Sequence, residues 1–241
     1  MKRCSQVLVA ISVVCFALLA AGKPPMADTP AYTWQEPENH AVEVDRLMRY
    51  HDYGEYDREI REVANSARDY LESIVRENPK GERLAAVFDI DETALSNWNA
   101  MQKCGFCSYS AEQELFSQAH DPDYSIEHDP PIVPTLELYN FAKKNGIAVF
   151  FVTGRPESQR TLTTSNLMEA GYSGWAQLYM RSEMKPGESP EPASVYKPRA
   201  RKSIESQNYR IVLNIGDQAS DLAGCCAERV FKLPNPFYLV K

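Results

Sequence analysis

Leu84-Ala85-Ala86-Val87-Phe88-Asp89-Ile90-Asp91-Glu92-Thr93 is the stretch on which the fold turns. Five apolar residues run into two aspartates placed two positions apart. An apolar run of this length with no polar side reads as a strand buried on both faces of a parallel sheet. Ligands of open α/β sheets bind at the carboxyl ends of such strands. Side chains two apart on extended chain point the same way, so Asp89 and Asp91 are expected to face one pocket. Two neighbouring carboxylates repel, and burying them is costly unless a cation or a proton compensates. The plainer reading of the same residues is a strand followed by an acidic, solvated turn.

Outward from this strand the chain alternates between strand and helix patterns. Residues 136–144 read as a helix closed by Asn145-Gly146, and residues 147–152 as a second apolar strand. A helix over 157–170 ends at Gly171. A short strand follows at 177–180, then a helix over 198–207 with Pro198 at its first position. Residues 211–215 form another strand and 229–231 an edge strand. Such alternation predicts an α/β fold: a Rossmann-like core with a central parallel sheet, right-handed crossovers and helices on both faces. Before it, residues 41–75 carry a helical stripe of Ile60, Val63, Ala64, Ala67, Leu71 and Ile74. After the first strand, residues 97–134 break the rhythm with Trp98, a Cys-x-x-Cys and paired prolines. This insertion is expected to act as a small cap over the pocket. Residues 183–194 read as a surface loop.

The chain has 241 residues, 44% of them hydrophobic, enough for one domain with a real core. Its net charge of −7 argues against a general nucleic-acid binder, which would present a basic face. Lys2 and Arg3 precede an apolar segment at 7–21 that ends in Ala20-Ala21-Gly22, the pattern of a cleaved export signal over residues 1–22. The alternative is an uncleaved membrane anchor. Residues 23–80 then form an arm and helical segment, and 81–241 the core with its cap at about 97–134. Export implies an oxidising compartment, periplasmic or extracellular, in which Cys104, Cys107, Cys225 and Cys226 remain. Their pairing stays open. The Cys-x-x-Cys lacks the strand–motif–helix setting of a thiol oxidoreductase and the further ligands of a zinc site.

Two other apolar strands also end in polar clusters. Residues 147–152 lead into Thr153-Gly154-Arg155, and 211–215 into Gly216-Asp217-Gln218-Ala219-Ser220-Asp221. Lys197 stands before Pro198 at the expected start of a helix, where an anion is welcome. Each has a plainer reading: Thr153 as a helix cap, Asp217 and Asp221 as turn residues, and Lys197 as a solvated lysine with Lys185 as the anion partner. Arg155, Arg199 and Arg201 read as surface or structural residues.

Four segments in this order, Phe88–Thr93, Phe151–Arg155, the Lys197 region (VYKPRAR) and Gly216–Asp221, resemble the motifs of the haloacid dehalogenase (HAD) superfamily. The longer runs FDIDETALSN, VTGRPESQR, AGYSGW, NIGDQASDL and FKLPNPFY are similar to its class B-like acid phosphatases, the branch of plant acid phosphatases and vegetative storage proteins. The resemblance implies a Mg²⁺-dependent acid phosphatase that hydrolyses small phosphomonoesters. It assigns Asp89 as nucleophile and Asp91 as general acid and base. Thr153 and Lys197 become phosphate and charge partners, Asp89, Asp91 (by its backbone carbonyl) and Asp217 the metal ligands, and Asp221 the residue that orients Lys197 or a metal-bound water. An acidic optimum is expected, since Asp91 must start protonated. The alternative is a non-catalytic storage or binding protein on the same fold. The expected partner is a small phosphomonoester, with no nucleic-acid polymer, no stable membrane insertion after signal cleavage and a possible homo-oligomer.

Overall fold

β1 (Leu84–Phe88) is the middle strand of a five-stranded, all-parallel sheet. The computed structural model describes residues 38–78, 81–106, 128–183, 189 and 191–240. The expected export signal, the arm to residue 37, most of the 97–134 insertion with Cys107, and Lys185 lie outside the described residues. Besides β1 the sheet contains β2 (Ala148–Pro156), β3 (Gln177–Arg181), β4 (Arg210–Gly216) and β5 (Arg229–Lys232), in the spatial order β3-β2-β1-β4-β5.

Alternation along β1 sends side chains to two cores. Leu84, Ala86 and Phe88 join Ile60 and Leu71 of α2 (Glu55–Glu77) and Leu138 and Tyr139, which lie on a helix over Val133–Lys144. Ala85 and Val87 pack instead with Tyr196, Ala200 and Ile204, on a helix over Ala193–Glu205. Helices therefore cover both faces, and all five residues of β1 are buried. This is why the strand could be apolar throughout. The chain places β2 and β3 on one side of β1, then returns to place β4 and β5 on the other. The order reverses between β1 and β4, so the crevice that binds ligands in such sheets opens at their carboxyl ends.

Among the described residues, the α-helices in chain order are α1 (His40–Asp52), α2, α3 (Trp98–Lys103), α4 (Val133–Lys144), α5 (Arg160–Glu169), α6 (Ala193–Glu205) and the short α7 (Ala219–Leu222). One expected helical region resolves into parts, and one expected helix start needs correction. The helical region at 41–75 is two helices, parted at Tyr53-Gly54, where Gly54 takes φ 75°, a value that favours glycine. The helix expected to begin at Pro198 begins at Ala193, and Pro198 lies inside it. There its ring nitrogen cannot donate to the Ser194 carbonyl, four residues earlier.

Candidate active site

The ends of β1 and β4 bring Asp89 and Asp217 together, with the Asp89 N–H donating to the Ile215 carbonyl at 3.0 Å. Asp89, Asp91, Thr153, Lys197, Asp217 and Asp221 are all buried. Lys197 Nζ lies 2.6 Å from Asp89 Oδ1 and 2.6 Å from Asp221 Oδ1. Asp89, Asp217 and Asp221 each offer a carboxylate oxygen within 4.8 Å of the others. Lys197 reaches this cluster from the second turn of α6, so its place owes nothing to a helix start. The carboxylates hold it there. Burial works against its charge, and Asp221 and Asp89 more than reverse that, keeping the ammonium well above its ordinary range. Burial likewise pushes Asp89 well up, against the opposing pull of Lys197. Burial and the nearby Asp221 push Asp217 up to about 6.

Charge is out of balance here. Among the described residues, the buried carboxylates are Asp89, Asp91, Glu92, Asp129, Asp217 and Asp221, against the buried cations Arg155, Lys197 and Arg201. Arg201 donates to the backbone carbonyls of Asp221, Ala223 and Cys225 rather than to a carboxylate. A cluster of hard oxygens short of positive charge could hold a divalent metal ion.

The side chains of Asp89 and Asp91 take different partners. Arg155, fully buried, donates to Asp91 Oδ1 from Nη2 at 2.6 Å and from Nε at 3.1 Å. Thr153 Oγ1 donates to Asp91 Oδ2 at 3.5 Å. Arg155 also lies 3.4 Å from Asp129 Oδ2, which accepts from Asn97 Nδ2 at 2.9 Å. Burial pushes Asp129 up to about 6. Arg155 and Arg201 are thus interior residues, and only Arg199 is at the surface, paired with Glu191. A signal for Arg155 existed: it stands two residues after Thr153 on extended chain, hence on the same side.

Glu92 has no such signal. It is fully buried at φ 49°, a left-handed conformation uncommon for a side chain of this size. Tyr56 of α2 donates its hydroxyl to it, and the Asn97 N–H donates at 2.5 Å. Burial pushes Glu92 up to about 8, with Tyr56 opposing. This contact fastens the N-terminal helices to the loop that carries Asp91. The sulfurs of the adjacent Cys225 and Cys226 stand 2.17 Å apart.

Gly216 is required by close approach. A Cβ there would lie 2.5 Å from Asp221 Cβ and 2.6 Å from its Oδ2. Gly216→Ala is expected to push Asp221 off Lys197. Overpacking of this kind costs about 1–3 kcal/mol, and misplaced catalytic groups can cost about 100-fold in rate. Thermal melting and steady-state kinetics on the variant read both effects.

A family model described as "HAD superfamily, subfamily IIIB (Acid phosphatase)" matches residues 29–241. The chain is 35% identical over 188 residues to Acid phosphatase 1 of Solanum lycopersicum, covering 77% of this chain and 69% of that protein. It is 34% identical over 154 residues to Vegetative storage protein 1 of Arabidopsis thaliana, covering 64% of this chain and 54% of that protein. The class C acid phosphatase of Bacillus anthracis shares the fold, with a TM-score of 0.59 at 19% identity over 81% of this chain and 86% of that one.

Proposed function

The chain belongs to subfamily IIIB of the HAD superfamily, the acid phosphatases, and from that premise we propose that it is an exported, Mg²⁺-dependent phosphatase of small phosphomonoesters working through an aspartyl-phosphate. The observation that carries this reading is Lys197 held 2.6 Å from Asp89 beside the carboxylates of Asp217 and Asp221. A storage protein has no use for buried, mutually repelling carboxylates, and their retention favours catalysis.

Asp89 attacks phosphorus in line: a bond forms from its carboxylate oxygen as the bond to the ester oxygen breaks. Asp91 gives its proton to the departing alkoxide, a poor leaving group without it. Asp91 then takes a proton from water, whose oxygen attacks phosphorus and frees Asp89. Arg155 and Thr153 hold Asp91 in place. Lys197 neutralises charge on Asp89 and the phosphate and is itself aimed by Asp221. Asp89, the backbone carbonyl of Asp91 and Asp217 would hold the cation, which lets an anionic nucleophile approach an anionic phosphate.

Export rests on the positive, then apolar, then small-residue pattern of residues 1–22. Relatives named stem glycoproteins accord with it. Among the described residues no helix is long and apolar enough to cross a membrane. An oxidising compartment would keep Cys225 and Cys226 paired as a disulfide.

The test is hydrolysis of p-nitrophenyl phosphate with and without chelator. Activity should vanish on chelation and return with Mg²⁺; activity indifferent to chelation overturns the proposal. A second readout is thermal. Asp217 is raised from 3.8 to about 6 in the fold. Its contribution to the stability of the metal-free protein is therefore full below about pH 4 and lost as pH rises through about 6. Mg²⁺ needs the carboxylate, so it should raise the melting temperature more at about pH 8 than at about pH 5. Saturation 100-fold above Kd gives about 2.7 kcal/mol, or roughly 5–10 °C for a protein of this size.

A further inference from the structure

We infer that the C-terminal segment, residues 233–240, is a working part of the active site: Asn235 and Gln218 fix Asp217 so that Oδ1 is its metal-binding oxygen. The inference rests on the proposed function and adds to it a positioning device that none of the catalytic residues supplies.

Asp217 Oδ2 accepts two hydrogen bonds, from Asn235 Nδ2 at 2.6 Å and from Gln218 Nε2 at 2.6 Å. Two short amide donors occupy both lone-pair directions of that oxygen. Among the described residues, Oδ1 accepts only from the Thr93 hydroxyl, at 3.2 Å. The carboxylate therefore has one oxygen committed to the protein and one left for a cation shared with Asp89. Divalent-metal ligands are commonly oriented in this way by groups behind them.

The donors are themselves held by the tail backbone. Asn235 Oδ1 accepts from the Phe237 N–H at 2.8 Å and the Tyr238 N–H at 3.4 Å, which turns its amide nitrogen toward Asp217. Gln218 Oε1 accepts from the Val240 N–H at 3.1 Å, and Nε2 also lies 3.4 Å from the Tyr238 carbonyl. Pro234 and Pro236 flank Asn235 and restrict its backbone. The segment is anchored on both sides of Asn235. Leu233 N–H donates to the Gly216 carbonyl at 2.9 Å. The buried Phe237 ring packs 5.0 Å from Tyr56 and 5.2 Å from Trp98, centroid to centroid. Asn235 is thus set on a fixed support, as a residue that positions another must be.

Calorimetric titration of the full chain with Mg²⁺ alone, without substrate, tests this. Asn235→Ala and Gln218→Ala are each expected to weaken Mg²⁺ binding by about 10- to 100-fold. The kcat for p-nitrophenyl phosphate should return toward that of the unsubstituted protein at saturating Mg²⁺, because both residues act through Asp217. A merely structural role would lower the melting temperature and leave the Mg²⁺ affinity unchanged, and that result overturns the inference. Should Asn235→Ala fail to fold, Gln218→Ala removes the other donor to the same oxygen from outside the tail and decides it. If the unsubstituted protein binds no Mg²⁺ and ignores chelators, the proposed function falls and this inference with it. If it binds Mg²⁺ and both folded variants bind equally well, only the role of the tail falls.

Discussion

Asp89→Asn is expected to lower kcat for p-nitrophenyl phosphate by on the order of 10⁴-fold or more, with the melting temperature within a few degrees of the unsubstituted protein. The two effects separate for a physical reason. An amide keeps the volume of the carboxylate but cannot attack phosphorus, so the covalent route closes. The charge it removes is one that burial penalises and that Asp221, Asp217 and Asp91 repel. Lys197 loses one carboxylate but keeps Asp221 at 2.6 Å. Steady-state rates at saturating Mg²⁺ and a thermal melt on the same sample check both halves. A variant that retains a substantial fraction of the rate would remove Asp89 from the nucleophile's role. A variant that fails to fold would show that the Lys197–Asp89 pair holds the sheet ends together.

Lys197→Met should damage both rate and stability. The ammonium is the common partner of Asp89 and Asp221, and all three side chains are buried. Methionine fills similar space and leaves the two carboxylates facing each other. Removing one member of a buried ion pair typically costs about 3–5 kcal/mol, because the charge left behind is uncompensated. For a protein of this size that is roughly 6–20 °C in melting temperature. Loss of the cation beside the reacting phosphate should take about a further 100- to 1000-fold from kcat. Part of the stability loss should be recovered in acid, where Asp89, already pushed up by burial, takes a proton. Melting curves at about pH 5 and about pH 8 test this: destabilisation should be greater at the higher pH. Equal destabilisation at both would mean that the lysine contributes packing rather than charge.

The sheet was legible because its strands are short, apolar and bounded by polar residues. β1 occupies the span read from its sequence, and the other strands differ from their expected spans only at the ends. The residues gathered at the rim were also legible, since strand ends in a parallel sheet share one edge. What the sequence hid was partnership at a distance. Arg155 read only as surface or structural because its partners Asp91 and Asp129 belong to other segments. Nothing local showed that the hydroxyl of Tyr56 meets Glu92. Asn235 sits in a proline-rich tail whose docking depends on Gly216 and Gln218 already being in place. Pro198 misplaced a helix start because proline favours the first position of a helix, whereas here it lies inside one.

The reversal of strand order beside β1 also bears on how the chain is made. The two strands that flank β1 come from well apart in the sequence, and Asp217 and Asn235 follow the later of them. A polypeptide still emerging from the ribosome holds Asp89 long before it holds the carboxylate and amide that would complete the proposed cation site. Assembly of the site therefore waits on segments made long after β1.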